Sequence, residues 1–300
     1  MTDDECVSFL QWALPRMHLY WPGYRKVRAQ VCKRVTRRLK DLALADAGAY
    51  RAYLDARPQE WNALAALCTI PISRFYRDRS LFEFLGREVL PSLARAALER
   101  GAPVFRCWSA GCASGEEPYT LALLWALLIQ PRFPQLQLAI VATDVDPRLL
   151  ERAAQGCYRA SSLKELPADW LARGFAVNGE LFCVREELRR PVEFLHSDVR
   201  RFAPPGPFDL VLCRNLVLTY FAPPLRDEVM RRIVSTLRPG GALVIGIHEA
   251  LSDDLAAMQP WPGTRAIFRV ASRDRGSGEQ IDQASSDAGH TGASSSAVSS

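Results

Sequence analysis

Residues 104–124 restrict the fold more than any other stretch. An apolar, β-favouring run, Val104-Phe105-Arg106-Cys107-Trp108, ends in the small-residue turn Ser109-Ala110-Gly111-Cys112-Ala113-Ser114-Gly115. A helix-spaced pattern follows, from Glu116-Glu117-Pro118-Tyr119 into Leu123-Leu124. Strand, loop and helix in that order make a β-α unit. Ser114 and Glu117 have capping-box spacing, and Pro118 fits a first helical turn, where its missing N–H costs nothing. The pattern therefore predicts bare main-chain N–H groups at the helix start facing a ligand, with Gly111 and Gly115 letting that ligand approach the main chain.

The chemistry of the loop narrows the ligand. It lacks the Lys-Ser/Thr ending of a phosphate-cradling P-loop, and its glycines are not spaced G-x-G-x-x-G. Glu116 and Glu117 would repel a pyrophosphate. A cationic or amino-bearing cofactor suits them, and S-adenosylmethionine carries both a sulfonium and an ammonium.

Beyond Val104, strand and helix patterns alternate, the signature of a mainly parallel sheet covered on both faces. Strands are expected over 136–142, 192–198, 208–213, 242–247 and 265–270, and helices over 147–155 and 223–237, the last stopped by Arg238-Pro239-Gly240-Gly241. Ligands of such sheets sit off the carboxyl ends of the strands. Asp144 has that address and suits ribose hydroxyls, while Asp146 caps the following helix. Residues 161–201 interrupt the alternation with a helix over 167–173 and a hairpin marked by Asn178-Gly179 between apolar runs. A β appendage over about 174–190 follows from this.

Residues 1–100 read as a helical amino-terminal domain, 101–271 as the α/β domain and 272–300 as a disordered Ser/Gly/Ala-rich tail. Helices are expected over 24–42, 46–54, 60–67 and 81–100, with 69–78 irregular. In the first of these, Val27, Val31, Val35, Leu39 and Leu42 form one stripe, and Lys26, Lys33, Arg37 and Lys40 form a basic ridge on the other side. That ridge is a docking surface for an acidic partner or a phosphate backbone.

With 48% hydrophobic residues, 300 positions can bury one large core or two smaller ones. Eight cysteines without paired CxxC or histidine spacing read as buried thiols of a reducing compartment, and no metal site is expected. An acidic start unlike a signal peptide, and the lack of a long apolar run, point to the cytoplasm without membrane insertion.

Four motifs in register resemble the CheR-type chemotaxis methyltransferases, which use S-adenosylmethionine to methylate glutamates of chemoreceptors. Trp108–Gly111 with Ser114–Tyr119 is similar to that family's glycine loop, and Ser73-Arg74-Phe75-Tyr76-Arg77-Asp78 to its Thr-x-Phe-Phe-Arg segment. Ala142-Thr143-Asp144-Val145-Asp146 is similar to its ribose-binding strand end, and Cys213-Arg214-Asn215 to Tyr220-Phe221 to its Arg-Asn…Tyr-Phe motif. The resemblance implies a Rossmann-like class I methyltransferase sheet, a small amino-terminal helical domain and a short β appendage. It puts cofactor contacts at Ser73, Arg77, Gly111, Gly115, Glu117, Asp144, Asp198, Val199, Cys213 and Arg214. Glu117 would hold the methionine ammonium, Asp144 the ribose, and Asp198 with Val199 would lie beside adenine. Arg77 and Tyr220 would flank the transferring methyl, and Lys26, Lys33, Arg37 and Lys40 would dock the acidic helical region of a receptor or related signalling protein.

This chain departs from the family pattern in four places. Pro71 stands where Asn is usual, and Asp198 where Asn is common. Leu-Val-Leu-Thr between Asn215 and Tyr220 is one residue longer than the commoner form. The hairpin over 177–181 is shorter than in members that grip a receptor's C-terminal pentapeptide, so no such tether is expected. A small-carboxylate methyltransferase, or an RNA-binding methyltransferase or cofactor-sensing adaptor, stays open as an alternative. Against RNA, the ridge has few interleaved aromatics, Tyr24 being the lone candidate.

Overall fold

The run from Val104 becomes β1 (Val104–Ala110), the strand about which the chain reverses direction across a sheet. The computed structural model describes residues 1–252, 254–255 and 257–271, so the expected disorder of 272–300 lies outside the described residues. The remaining strands are β2 (Gln137–Asp144), β3 (Cys157–Arg159), β4 (Phe175–Asn178), β5 (Leu181–Val184), β6 (Val192–His196), β7 (Phe208–Leu212), β8 (Leu237–Val244), β9 (Met258–Pro260) and β10 (Ile267–Val270). Seven of them form one sheet in the order β6-β2-β1-β7-β8-β10-β9, and β3-β5-β4 form a second, smaller sheet. The first five strands of the large sheet run parallel, while β10 is antiparallel to both β8 and β9. The order changes direction between β1 and β7, and in doubly wound sheets such a switch point opens the ligand crevice. The expected α/β architecture with a β appendage is the one observed.

Burial explains why these residues make these strands. All five positions of β7 are buried, as befits a central parallel strand; four are apolar, and the fifth, Asp209, is met by the Arg106 N–H and by Arg100 and Arg238. Trp108 is fully buried, and its indole N–H donates to Thr143 Oγ1 at 3.0 Å, so its one polar atom is satisfied. One continuous apolar cluster runs from Phe9 and Leu14 in the amino-terminal helices through Phe75 and Leu85 to Trp108 and Leu210 in the sheet. Phe75 joins the parts, packing edge-on against Tyr158 at 4.8 Å and Phe175 at 5.2 Å.

The amino-terminal helices are Asp3–Arg16, Trp21–Tyr24, Arg28–Asp41, Ala47–Ala56 and Glu60–Leu67. The basic segment keeps the expected faces: Val31, Val35 and Leu39 are buried, while Lys33, Arg37 and Lys40 are exposed, as is Lys26 in the preceding turn. Arg38 is drawn inward instead. Its guanidinium grips the buried Glu60 through two bonds of 2.9 and 2.8 Å, and Tyr50 donates to the same carboxylate. The Arg38 bonds hold that carboxyl below its ordinary range.

Several expectations need correction. Cys6 pairs with Cys32, tying the first helix to the basic helix, and Cys157 pairs with Cys183 across β3 and β5. Only Cys68, Cys107, Cys112 and Cys213 are free thiols, because chain reversals bring the other four side by side where the sequence shows no close spacing. No capping box forms at Ser114 and Glu117. Gly115 is the cap, at φ +91°, and Ser114 bonds Glu116 instead, because Glu117 turns toward an arginine described below. β8 starts at Leu237 and runs through Arg238-Pro239-Gly240-Gly241 by shifting register against β7. The short strands β3 and β9 have no sequence counterpart, because their pairing partners supply the order. No helix among the described residues is long and apolar enough to cross a membrane.

Candidate functional site

The ends of β1, β2, β6 and β7 and the irregular segment 69–78 surround one cavity of about 1260 Å3. That exceeds the roughly 300–1,000 Å3 of an ordinary small-ligand site, leaving room for two reactants.

Glu117 lies in the first turn of the helix Glu116–Leu124, just past the loop that leaves β1. Its Oε1 accepts from Ser109 Oγ at 2.7 Å and its Oε2 from Arg214 Nη1 at 3.0 Å. The Arg214 side chain is 3% exposed. It also donates to Asp78 Oδ2 at 2.6 Å and to the Arg77 carbonyl at 2.9 Å, and it lies over the Phe82 ring at 4.9 Å. One buried cation thus joins the glycine loop, the end of β7 and the segment before the sheet. Such a charge is tolerable inside because two carboxylates and a carbonyl meet it.

At the end of β2, Asp144 accepts from Ala113 N and Asp146 N, both at 2.9 Å. Burial pushes its carboxyl above the ordinary aspartate range. Gly111 N and Cys112 N both donate to the Thr143 carbonyl, and Gly115 N donates to the Cys112 carbonyl. Bare N–H groups were expected at the helix start; ahead of it, the neighbouring strand end takes those of Gly111 and Cys112, and the loop itself takes that of the cap residue Gly115. Gly111 is favoured for a different reason: its φ of +76° strains any side-chain-bearing residue, and a Cβ there would also displace the Leu216 side chain, 2.4 Å away at Cδ2.

Beyond β6, the Arg200 guanidinium clasps both oxygens of Asp198 at 2.7–3.0 Å, and Arg200 N donates to one of them. Burial alone would raise the Asp198 carboxyl, but Arg200 outweighs it and holds the group below the usual range. On the opposite wall, Arg77 Nη1 donates to the Ile72 carbonyl at 2.6 Å. Burial raises the Tyr220 hydroxyl while the charge of Arg77 acts the other way, so the two side chains sense each other.

Of the residues singled out in sequence, Ser73, Arg77, Gly111, Glu117, Asp144, Asp198, Val199, Arg214 and Tyr220 all line this one cavity. Gly115 and Cys213 are not among its lining residues. Gly115 faces Ala153 and the Tyr158 hydroxyl, and Cys213 is wholly buried behind the wall, where desolvation raises its thiol. Lys26 stands at the cavity and on the basic ridge, whereas Lys33, Arg37 and Lys40 lie farther along the outer face. Sequence reasoning passed over Ser109, Asp78, Arg200 and Glu249. Arg200 follows Asp198 by two positions, an Asx-turn signal that was legible. Glu249, whose carboxylate accepts from Asn215 N, Gly246 N and the Thr219 hydroxyl, sits in no motif.

These partners decide what the cavity can take. With those loop N–H groups engaged, Glu117 and Asp144 present carboxylate oxygens that each hold more than one lone pair. A ligand offering an ammonium and hydroxyl donors fits, as S-adenosylmethionine does. A phosphate would meet acids.

Residues 72–267 match the family described as CheR methyltransferase, SAM binding domain. A chemotaxis protein methyltransferase of Salmonella typhimurium is 35% identical over 236 residues, 75% of this chain and 77% of that protein. A chemotaxis protein methyltransferase of Vibrio cholerae is 30% identical over 258 residues, 84% of this chain and 87% of that one. An uncharacterised 104.1 kDa protein of Rhodobacter capsulatus is 35% identical over 234 residues, 76% of this chain but 24% of its own length, so the chain spans about a quarter of that relative.

Proposed function

This chain belongs to the CheR methyltransferase family and is an S-adenosylmethionine-dependent methyltransferase, and from that premise we propose that it esterifies glutamate side chains on the acidic helical region of a chemoreceptor or related signalling protein in the cytoplasm. Residues 1–100 serve recognition and, through Ser73 and Arg77, complete the cavity in which 101–271 hold the methyl donor. The observation that carries this reading is the single cavity that gathers Glu117, Asp144, Arg77 and Tyr220 and meets the basic ridge at Lys26.

When bound, S-adenosylmethionine supplies a methyl on a positively charged sulfur, open to direct displacement by a carboxylate oxygen with adenosylhomocysteine as the leaving group. Glu117 holds the donor's ammonium and Asp144 its ribose. Asp198, neutralised by Arg200, sits with Val199 at the adenine end. The acceptor glutamate is already ionised at neutral pH, its reference pKa being about 4.3, so the protein needs no general base. Arg77 orients the incoming carboxylate, and Tyr220 walls the pocket beside it. Alignment and exclusion of water then supply the rate.

The ridge favours an acidic protein surface over nucleic acid. Tyr24, the aromatic that could have stacked on a base, is 3% exposed and turned inward. The β4–β5 hairpin turns through Gly179-Glu180 alone, which supports catalysis without a C-terminal pentapeptide tether.

Incubation with radiolabelled methyl donor and cell membranes tests the proposal. Base-labile label on a membrane protein, lost in Arg77→Ala while adenosylhomocysteine still binds, is the expected result. Label confined to a small soluble product or to RNA overturns it.

A further inference from the structure

Tyr220 owes its position to two sides of the molecule. From the sheet side, Glu249 fixes the turn ahead of it by accepting from Asn215 N, at φ +52°, and from the Thr219 hydroxyl. Tyr220 itself ends a single helical turn, Val217–Tyr220, too short to hold a side chain rigidly.

From the other side, the amino-terminal helices close onto the same turn. Tyr20 N donates to the Tyr220 carbonyl at 2.8 Å, Ala222 N donates to the His18 carbonyl at 2.8 Å, and Leu19 bridges Phe221. Gly23 lies so close that an added Cβ would stand 2.0 Å from the Thr219 carbonyl oxygen. The next residue, Tyr24, places its ring 5.0 Å from that of Tyr220 at 58°. Tyr24 lines the cavity, and its hydroxyl forms no hydrogen bond with the described residues. What reaches Tyr220 from Tyr24 is therefore ring contact.

We propose that Tyr24 is a positioning residue for Tyr220, so that the helix pair preceding the basic ridge sets the acceptor wall of the cavity. This inference rests on the methyltransferase reading of the cavity and adds a dependence of its chemistry on the docking unit. A partner seated on Lys26 and Lys33 bears on the segment that holds Tyr24, and Tyr24 passes any displacement to Tyr220. Misplacing a reacting group by about 1 Å can cost on the order of a hundredfold in rate.

The test combines kinetics with a probe of Tyr220 that needs no acceptor. Protein labelled with 3-fluorotyrosine is followed by fluorine NMR with and without S-adenosylhomocysteine, the Tyr220 signal being assigned by its loss in Tyr220→Phe. In Tyr24→Ala the Tyr220 signal moves or broadens, kcat on receptor-bearing membranes falls by about tenfold or more, and the adenosylhomocysteine Kd stays within about twofold. Tyr24→Phe restores both readings. Tyr24→Leu keeps much of the buried volume and is read instead should Tyr24→Ala not fold. An unchanged Tyr220 signal in the aliphatic variant overturns the proposal. So does a Tyr24→Phe protein as impaired as Tyr24→Ala, which would place the Tyr24 hydroxyl on the reactants themselves. If the wild-type protein labels no membrane protein, the receptor reading is lost, while the NMR comparison still decides the role of Tyr24.

Discussion

Arg214 Nη1 lies 3.0 Å from Glu117 Oε2, and no other guanidinium or ammonium among the described ion pairs reaches that carboxylate. The same guanidinium binds Asp78 at 2.6 Å. Glu117 is thus aimed before any ligand arrives, and the segment 72–78 is fastened to the sheet by the side chain that aims it.

Arg214→Met should be costly. Removing one partner from a buried ion pair leaves the other uncompensated, typically at about 3–5 kcal/mol. A denaturation midpoint lowered accordingly is expected, with weaker adenosylhomocysteine binding. Unchanged unfolding curves would show that Glu117 and Asp78 are solvated well enough without it.

Glu117→Gln separates the two ends of the cofactor. The charge-assisted contact to the ammonium is worth about 1.5–3 kcal/mol, so adenosylhomocysteine should bind roughly tenfold to a hundredfold more weakly. Methylthioadenosine, which lacks the amino-acid end, should bind nearly as before. Equal losses by calorimetry for both ligands would mean that Glu117 shapes the whole pocket.

Asp144 predicts a pH dependence with a definite sign. Burial raises its folded-state pKa above the unfolded value of about 3.9. The group therefore stabilises the ligand-free fold below that value, and this contribution is lost as pH rises through the raised pKa. Ribose binding runs the other way, since it needs the ionised acceptor. Adenosylhomocysteine affinity should fall on acidification, starting at a higher pH than an ordinary aspartate would give. Asp144→Asn should bind more weakly and show little slope in that window; a slope equal to wild type would remove Asp144 as its source.

Reversing the ridge should alter encounter and leave the pocket alone. Lys33, Arg37 and Lys40 are exposed, whereas the neighbouring Arg28 and Arg38 are paired with Asp3 and Glu60. The triple change to Glu should raise KM for the acceptor on the order of tenfold, less so at high salt, with cofactor binding intact. An unaltered KM would leave the ridge as a solvated face.

Thiol titration of the unfolded, unreduced protein should find four groups, from Cys68, Cys107, Cys112 and Cys213, and eight after reduction. In the folded protein the response should be slow, because burial pushes Cys68 up to about 12 and raises the other three as well. Eight thiols before reduction would mean that Cys6–Cys32 and Cys157–Cys183 are open in the protein as isolated.

The sheet was legible because parallel strands carry apolar runs, as 138–142 does, and because turn residues punctuate them. Asp144 was legible through its place at a strand end, and Arg214 through the resemblance of Cys213-Arg214-Asn215 to the family motif. What escaped were relations between distant segments. The Cys6–Cys32 and Cys157–Cys183 pairs, the Glu249 brace and the strands β3 and β9 depend on chain reversals that no local pattern encodes. The supposed capping box failed for the same reason: Arg214, ninety-seven positions away, outbid a local partner for Glu117.

The segment 72–78 precedes the central strand in sequence but is stitched to three segments that follow it. Phe75 N donates to the Ser162 carbonyl, Tyr76 N to Thr120 Oγ1, and Arg214 grips Arg77 and Asp78. A chimera that swapped the first hundred residues for those of another protein would carry Arg77 away with the graft and lose this stitching. A seam cut just before residue 72 would leave the stitching and the donor end of the cavity in place, while the acceptor wall, which Tyr24 and its neighbours line, would be exchanged with the graft.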